Sequence, residues 1–317
     1  MTRVLAIGGA NVDSTYRLDS PAVLETSNVA TTTRSFGGVA RNVAETLGRA
    51  GVPTAILTVV GSDASGRELV EHLASFGVDT SLVRVIDGAA TSAYIAILQP
   101  DGELVIGVND MAITTELTPE RIRAAQLADA DWVFAECNLT SDALAAVIDE
   151  RRASDRFRLA VDAISIPKVT RLPEDLSGID VLFANLDEAR ALSGRAFARD
   201  RDGMVAAARA IVARGAASAV VTCGALGCVT HSAEGTWAVG AVPAQVVDVT
   251  GAGDARIAGT LMALLRGESL AEASRLGSLF ATIAAESPTT ISLSLDRATL
   301  DAQQHRLDDV TIEGIPA

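Results

Sequence analysis

The sequence predicts an α/β fold, a mostly parallel central sheet flanked by helices with a small β-sheet lid, built as one continuous unit over residues 1–317. Three observations support this. Short apolar runs alternate with amphipathic segments for most of the length, which is the pattern of βαβ units whose crossover helices cover both faces of a parallel sheet. Aromatic residues make up only 3% of the chain while hydrophobic residues reach 49%, so Ala, Val and Leu fill the core, as suits helices stacked on buried strands. Two stretches, 14–35 and 83–108, break the alternation. Their period-two runs, such as Thr91-Ser-Ala-Tyr-Ile-Ala-Ile-Leu98 with the turn Pro100-Asp-Gly102, predict hairpins.

In chain order, the first strand is Val4–Ile7, four apolar residues closed by glycine. A helix is expected from Gly38 to Ala50, a strand at Thr54–Val59 and a helix from Gly66 to Phe76. The two insertions are expected to pair into one small sheet at the edge of a cleft. Such a sheet can close over a ligand and, because its edges need covering, can form a homodimer contact. Central strands follow at Trp132–Ala135, Leu159–Val161, Val181–Ala184 and Ala219–Thr222. Helices are expected near Ser141–Ala153, Asp187–Leu192, Gly203–Arg214, Gly253–Leu265 and Leu270–Ala285. The last dozen residues carry little pattern and are expected to be weakly constrained.

Composition excludes several functions. The net charge is −14 and no basic stripe with interleaved aromatics appears, so nucleic acid is repelled rather than attracted. Phosphate must be handled locally, through backbone N–H groups, a few arginines or metal ions. Lys168 is the only lysine, which rules out a mechanism built on several. Cys137, Cys223 and Cys228 form no CxxC pair and read as reduced core residues. No apolar run approaches the roughly 18 residues of a membrane span, and the amino terminus does not read as a signal peptide, so a soluble, cytoplasmic protein is expected.

The strongest local signal is Asp248-Val-Thr-Gly-Ala-Gly-Asp254, where a strand end runs through small residues into a helical pattern. Gly251, Ala252 and Gly253 allow close approach to a helix entrance whose unpaired N–H groups and positive dipole end attract phosphate. Asp254 stands in that first turn, where a carboxylate can take a hydroxyl proton beside a phosphoryl group in transfer. No Walker-type Gly-Lys-Ser/Thr is present, which excludes a P-loop kinase. A nicotinamide-dependent dehydrogenase is excluded too, because no Gly-x-Gly-x-x-Gly follows the first strand.

This segment resembles the carboxy-terminal signature of the ribokinase-like (PfkB) carbohydrate and nucleoside kinases, and Ser35-Phe-Gly-Gly-Val-Ala-Arg-Asn42 resembles their amino-terminal signature. With Asn185-Leu-Asp-Glu188 and Thr222-Cys-Gly-Ala-Leu-Gly227 between them in the same order, the resemblance spans essentially the whole chain. It implies an ATP-dependent phosphotransferase with an alcohol acceptor. Asn11, Asp13, Gly37, Gly38 and Asn42 would then bind a sugar, a role suited to convergent amide and carboxylate groups beside glycines that admit a ring. Asn185 and Glu188 match the family's Asn-x-x-Glu, which organises Mg²⁺ and its waters. Thr222, Gly224, Gly227 and Ser287 fall where nucleotide contacts are expected. Asp248 and Thr250 correspond to the region where relatives hold a monovalent cation such as K⁺. Arg256 departs from the family, which places an apolar or aromatic residue there, and it reads as a salt-bridge partner, a phosphate contact or a surface arginine.

Within the family, Gly8-Gly-Ala-Asn-Val-Asp13, Val108-Asn-Asp-Met111 and Glu286-Ser-Pro-Thr-Thr-Ile291 look most like pseudouridine kinases. The implied reaction is phosphorylation of a nucleoside 5′-hydroxyl, with Asn28, Asn109 and Asp110 available to read a uracil edge. Glu136-Cys-Asn138 departs from a commoner Asp-x-Asn arrangement. The competing readings are a kinase for another nucleoside or for a free sugar (ribose, fructose, a keto-deoxy acid), and a non-catalytic sugar- or nucleotide-binding regulator on the same fold.

Overall fold

The computed structural model describes residues 3–292 and 295–316. From the amino terminus the elements are β1 (Val4–Ile7), β2 (Asn11–Leu18), β3 (Ala30–Gly37), α1 (Val39–Arg49), β4 (Thr54–Leu57), β5 (Val59–Gly61), α2 (Ala64–Ser75), β6 (Arg84–Ile86), β7 (Ala93–Leu98) and β8 (Leu104–Asp110). Next come α3 (Pro119–Ala124), β9 (Trp132–Glu136), α4 (Ser141–Ala153), β10 (Arg158–Asp162), β11 (Val181–Asn185), α5 (Leu186–Ser193), α6 (Arg201–Val212) and β12 (Ser218–Thr222). The chain closes with β13 (Cys228–Ser232), β14 (Gly235–Val239), α7 (Ala252–Leu264), α8 (Leu270–Ala285), α9 (Arg297–Gln303) and β15 (Ile312–Ile315).

The main sheet has the order β15-β14-β13-β12-β11-β10-β9-β1-β4. Its strands from β4 to β12 are parallel, and β13, β14 and β15 extend it antiparallel. Alternation along each strand divides the core in two, because successive side chains point to opposite faces. Leu5, Ile7, Val133, Ala135, Leu159 and Val161 pack on one face with α4 and α6. Val4, Ala6, Trp132, Phe134 and Ala160 pack on the other with α1, α7 and α8. The α/β fold read from the alternation is the observed one.

Some boundaries differ for identifiable reasons. The run expected as one strand at Thr54–Val59 breaks at Thr58, whose fully buried hydroxyl donates to the Gly8 carbonyl at 2.7 Å while β5 turns away to pair with β6. Strand β6 therefore belongs to a separate two-stranded sheet, although it lies within the second insertion. The insertions meet in a four-stranded sheet, β3-β2-β7-β8, whose strands span 11–37 and 93–110. The carboxy-terminal dozen is not loose: β15 pairs with β14, and Val310 and Leu307 are buried. That pairing lies outside any local pattern, since it depends on a strand more than 70 residues upstream.

The parallel strands end on polar residues at one edge of the sheet. Strand β1 runs into Gly8 and Gly9, β9 ends on Glu136, β10 on Asp162, β11 on Asn185 and β12 on Thr222. Register sets Asp162 beside Glu136 and Asn185 beside Thr222. The crevice beyond the carboxyl ends of parallel strands is where open α/β sheets bind ligands.

Candidate active site

Helix α7 opens on this edge. Its N-cap, Gly251, adopts φ +78°, and a Cβ there would run into the Thr290 carbonyl oxygen, so the turn requires glycine. No capping side chain covers the first-turn amides, and Ala252 and Gly253 line a cleft of about 620 Å³. Gly253 faces open space. An uncapped helix entrance opening on a cleft is suited to an anion.

Asp254, one residue further, is half-buried, and Asn42 of α1 donates to its carboxylate through Nδ2 at 2.6 Å. This bond joins two segments 212 residues apart. The Arg41 guanidinium donates to the Asn42 amide oxygen, to Glu45 and, at 2.6 Å, to the Phe36 carbonyl. The Asn42 amide is thereby oriented with oxygen to Arg41 and nitrogen to Asp254. Burial pushes the Asp254 carboxyl up to about 6, against the opposing pull of Asn42 and Arg41, while the Glu136 carboxylate pushes it further up. A carboxylate with that affinity ionises near neutrality yet holds a proton well enough to act as a base.

Asn11 and Asp13 lie on one face of β2, joined by a 2.6 Å hydrogen bond from Asn11 Nδ2. A Cβ on Gly37 would collide with the Asp13 carboxylate, and one on Gly38, at φ +97°, would collide with the Gly9 carbonyl. These glycines let α1 approach β1 and β2 closely, carrying Asn42 to Asp254. Burial raises the Asp13 carboxyl, with Asn11 and the Arg41 charge pulling it down. Glu136, fully buried, accepts from the Gly9 amide at 2.6 Å and from the Asn138 amide. It thus ties β9 to the turn that carries Asn11. Burial raises its carboxyl as well.

Across the cleft stand Asn185, Glu188, Thr222 and Gly224. Asn185 caps α5 by accepting from the Glu188 and Asp187 amides at 2.9 Å each, and Glu188 accepts from the Asn185 backbone at 2.8 Å and from its side chain at 2.7 Å. The pair is therefore a reciprocal capping box as well as a feature of the cleft wall. Asp162 lines the same cleft, and burial holds its carboxyl well above the ordinary range, reinforced by the charges of Glu188, Asp254 and Glu136. Carboxylates that raise one another's proton affinity also favour a divalent cation, and an all-oxygen set suits Mg²⁺ held partly through water. Asp162 and Glu188 are the groups that would hold it through its waters, while the Asn185 amide oxygen is already committed to the Asp187 and Glu188 amides and so acts by positioning Glu188.

The remaining expected positions divide. Gly227 turns the chain into β13, where a Cβ would meet the Val239 carbonyl, and it does not line the cleft. Ser287 is buried and its hydroxyl pairs with Thr289 at 2.9 Å. Asp248 accepts from the Thr250 amide at 2.8 Å, and the Val247 and Asp248 amides donate to the Ala285 carbonyl at 2.8 and 3.1 Å, which gathers these two segments beside the α7 entrance. On the smaller sheet, register places Asn109 opposite Tyr94 and Tyr94 beside Asp13, so the three share a face. Asp110 faces the other way and its Oδ1 accepts from Ala112 at 3.3 Å. Asn28 spends its amide on its own loop, bonding Val23 N and O at 2.9 and 2.8 Å and Thr26 O at 3.2 Å.

Arg256 is neither a surface residue nor part of a salt bridge among the described residues. It is buried between α7, α8 and β13, with Nη1 donating to Ser278 Oγ at 2.9 Å and Cys228 Sγ at 3.6 Å. Gly277 makes the space, since a Cβ there would press on the Arg256 backbone and side chain. Arg41, Asp162 and Tyr94 were not singled out by sequence reasoning. A carboxylate closing a buried parallel strand was the available signal for Asp162; Arg41 looked like an ordinary helix residue.

Comparison with known proteins shows the family and the fold. Residues 1–297 match the pfkB family carbohydrate kinases. The chain is 30% identical to the pseudouridine kinase of Escherichia coli (strain K12) over 276 residues, covering 86% of this chain and 87% of that protein. Among solved structures, a carbohydrate kinase from Agrobacterium tumefaciens superposes with a TM-score of 0.84 at 30% identity, covering 99% of this chain and 100% of the other. Arabidopsis thaliana ribokinase, complexed with ribose and ATP, superposes with a TM-score of 0.80 at 22% identity, covering 97% and 99%. With both signatures joined at one carboxylate and the match running through nearly the whole sequence, the chain belongs to the pfkB family of carbohydrate kinases and is a sugar or nucleoside kinase.

Proposed function

We propose that the protein transfers the γ-phosphoryl group of ATP to the 5′-hydroxyl of pseudouridine, with Asp254 as the base. The observation that carries this reading is the Asn42–Asp254 hydrogen bond, which brings the sugar-binding segment to the helix entrance suited to phosphate. Asn11 and Asp13 hold ribose hydroxyls, and the glycines at 37 and 38 leave room for the ring. The Asn109 amide, on the same sheet face as Asp13, reads the edge of the base. As the hydroxyl oxygen attacks in line, Asp254 takes its proton, and the first-turn amides of α7 stabilise the charge on the moving group. Asp162 and Glu188, the latter positioned by Asn185, would hold Mg²⁺ through its waters, and the ion, when bound, would supply charge neutralisation for the polyphosphate. The four-stranded sheet closes as a lid and excludes water.

The lid also offers a dimer surface. Ile95, Ile106 and Val108 share its outer face and are 37%, 50% and 52% exposed, and a second copy of the chain would cover them. A cytoplasmic location accords with the small-molecule chemistry; among the described residues no helix is long and apolar enough to cross a membrane. K⁺ near Asp248 and Thr250 would act beside the anion hole.

The engagement of Asn28 in its own loop favours one second reading, a kinase for a free pentose, because it removes one of the groups available to read a base. A panel of nucleosides and sugars with ATP, Mg²⁺ and K⁺, read by the mass of the phosphorylated product, separates the two. Pseudouridine 5′-phosphate as the main product is expected; a clear preference for ribose or a hexose overturns the pseudouridine assignment.

A further inference from the structure

Arg256 is a cation lining the cleft, with no counter-charge among the described residues. It is 8% exposed and lines the cleft, and its partners among the described residues are only the Ser278 hydroxyl and the Cys228 sulfur, both on Nη1. Among the described residues Nε and Nη2 hold no partner, and they are not sealed from solvent as the orphaned Nε of Arg41 is. A buried guanidinium with unused donors is costly unless something outside the chain accepts from it.

Its position says what that is. Ser278 precedes Ala285 by seven residues on α8, about 10 Å at the helical rise. The Ala285 carbonyl holds the loop leading into the α7 entrance, where phosphate is expected. Held against Ser278, the guanidinium therefore stands about two turns of α8 away from the residue that anchors that loop, in a cleft also lined by Ala241, Val242, Ala281 and Thr282. That largely apolar part of the cleft, set back from the entrance, suits the base of a nucleotide whose phosphates lie at the entrance, and the guanidinium would then meet a base edge.

A guanidinium offers donors in a fixed fork and no acceptor. A 6-oxopurine presents two adjacent acceptors, O6 and N7, which that fork matches bidentately, whereas adenine presents N7 beside an amino donor that opposes it. We propose that Arg256 reads the base of the phosphoryl donor, so that this kinase accepts GTP or ITP at least as well as ATP. The inference rests on the donor nucleotide occupying this cleft, as in the kinase reading above.

The test compares GTP and ATP as donors at saturating acceptor, and GDP and ADP binding by calorimetry, in the wild type, Arg256→Met and Arg256→Lys. In the wild type the kcat/KM for GTP is expected to equal or exceed that for ATP. Arg256→Met, similar in length but apolar, should move the GTP-to-ATP ratio about tenfold towards ATP, and Arg256→Lys, which keeps the charge without the fork, should move it part of the way. A wild type that uses GTP more than tenfold worse than ATP overturns the proposal. So does an Arg256→Met variant that weakens both donors equally, which would put the guanidinium on the phosphate chain. If Arg256→Met does not fold, the wild-type and Arg256→Lys ratios decide. Failure of the kinase reading looks different: no donor yields product, while the GDP-to-ADP binding ratio still reports on Arg256.

Discussion

At the scale of single residues, the site turns on how much the protein disfavours charge on Asp254. Its carboxyl is raised to about 6, first by burial, so the base form is lost as pH falls through that value. The kcat/KM is expected to rise with pH through an acidic limb near 6 in a pH-rate profile. Asn42 stabilises the carboxylate, so Asn42→Ala should move that limb to higher pH; a limb that stays in place or moves down would remove Asn42 from the argument. Linkage gives the stability counterpart. A carboxyl whose proton affinity is higher folded than unfolded contributes stability that is present below its ordinary range near 4 and lost as pH rises through about 6. Asp254→Asn removes that loss, so its melting temperature at pH 8 should be no lower than that of the wild type. Its kcat should nevertheless fall by about 10²–10⁴, measured by product mass; near-normal turnover would overturn the role of Asp254.

At the scale of elements, two devices place these residues. The first is the left-handed turn at Gly251, pressed against the Thr290 carbonyl, which aims the α7 entrance at the cleft. Gly251→Ala is expected to cost about 1–3 kcal/mol in denaturant unfolding and to lower kcat well beyond what that loss of stability explains, because the turn must shift to relieve the clash. An active, equally stable alanine variant would show that the entrance tolerates other backbone paths. The second device is the register of the four-stranded sheet, which puts Asn109, Tyr94 and Asp13 on one face and sends Asp110 to the other. A one-residue slip would exchange the two faces, so the face of Asp13, Tyr94 and Asn109 and the apolar face of Ile95, Ile106 and Val108 are specified together.

At the scale of the molecule, that outer face carries the proposal of a dimer. Replacing Ile106 and Val108 together by Asp places charge on the apolar face while leaving the Asp13 face unchanged. The wild type is expected to sediment at about twice its 32.7 kDa chain mass and the double variant at the chain mass; a monomeric wild type would show that the lid acts alone.

The strand and helix alternation, the entrance at Asp254 and the motifs expected to bind sugar and metal were legible in the sequence because each is a local pattern of period or spacing. The chain order of those motifs also determined the family. Other features became visible only in three dimensions. Arg41 resembles any helix arginine until folding seals it between Glu45, Phe36 and Asn42, and β15 has no pattern until β14 stands beside it. Asn28 and Asn109 look alike as turn residues, yet one closes its own loop while the other joins the face of Asp13. Arg256 read as a salt-bridge partner, a phosphate contact or a surface residue, and packing against Ser278 and Cys228 made it a buried cation with donors to spare. Local spacing determines which element a residue joins. Only the docking of distant elements decides which groups share a desolvated space, and in that space charge and hydrogen-bond partners acquire their chemical effect.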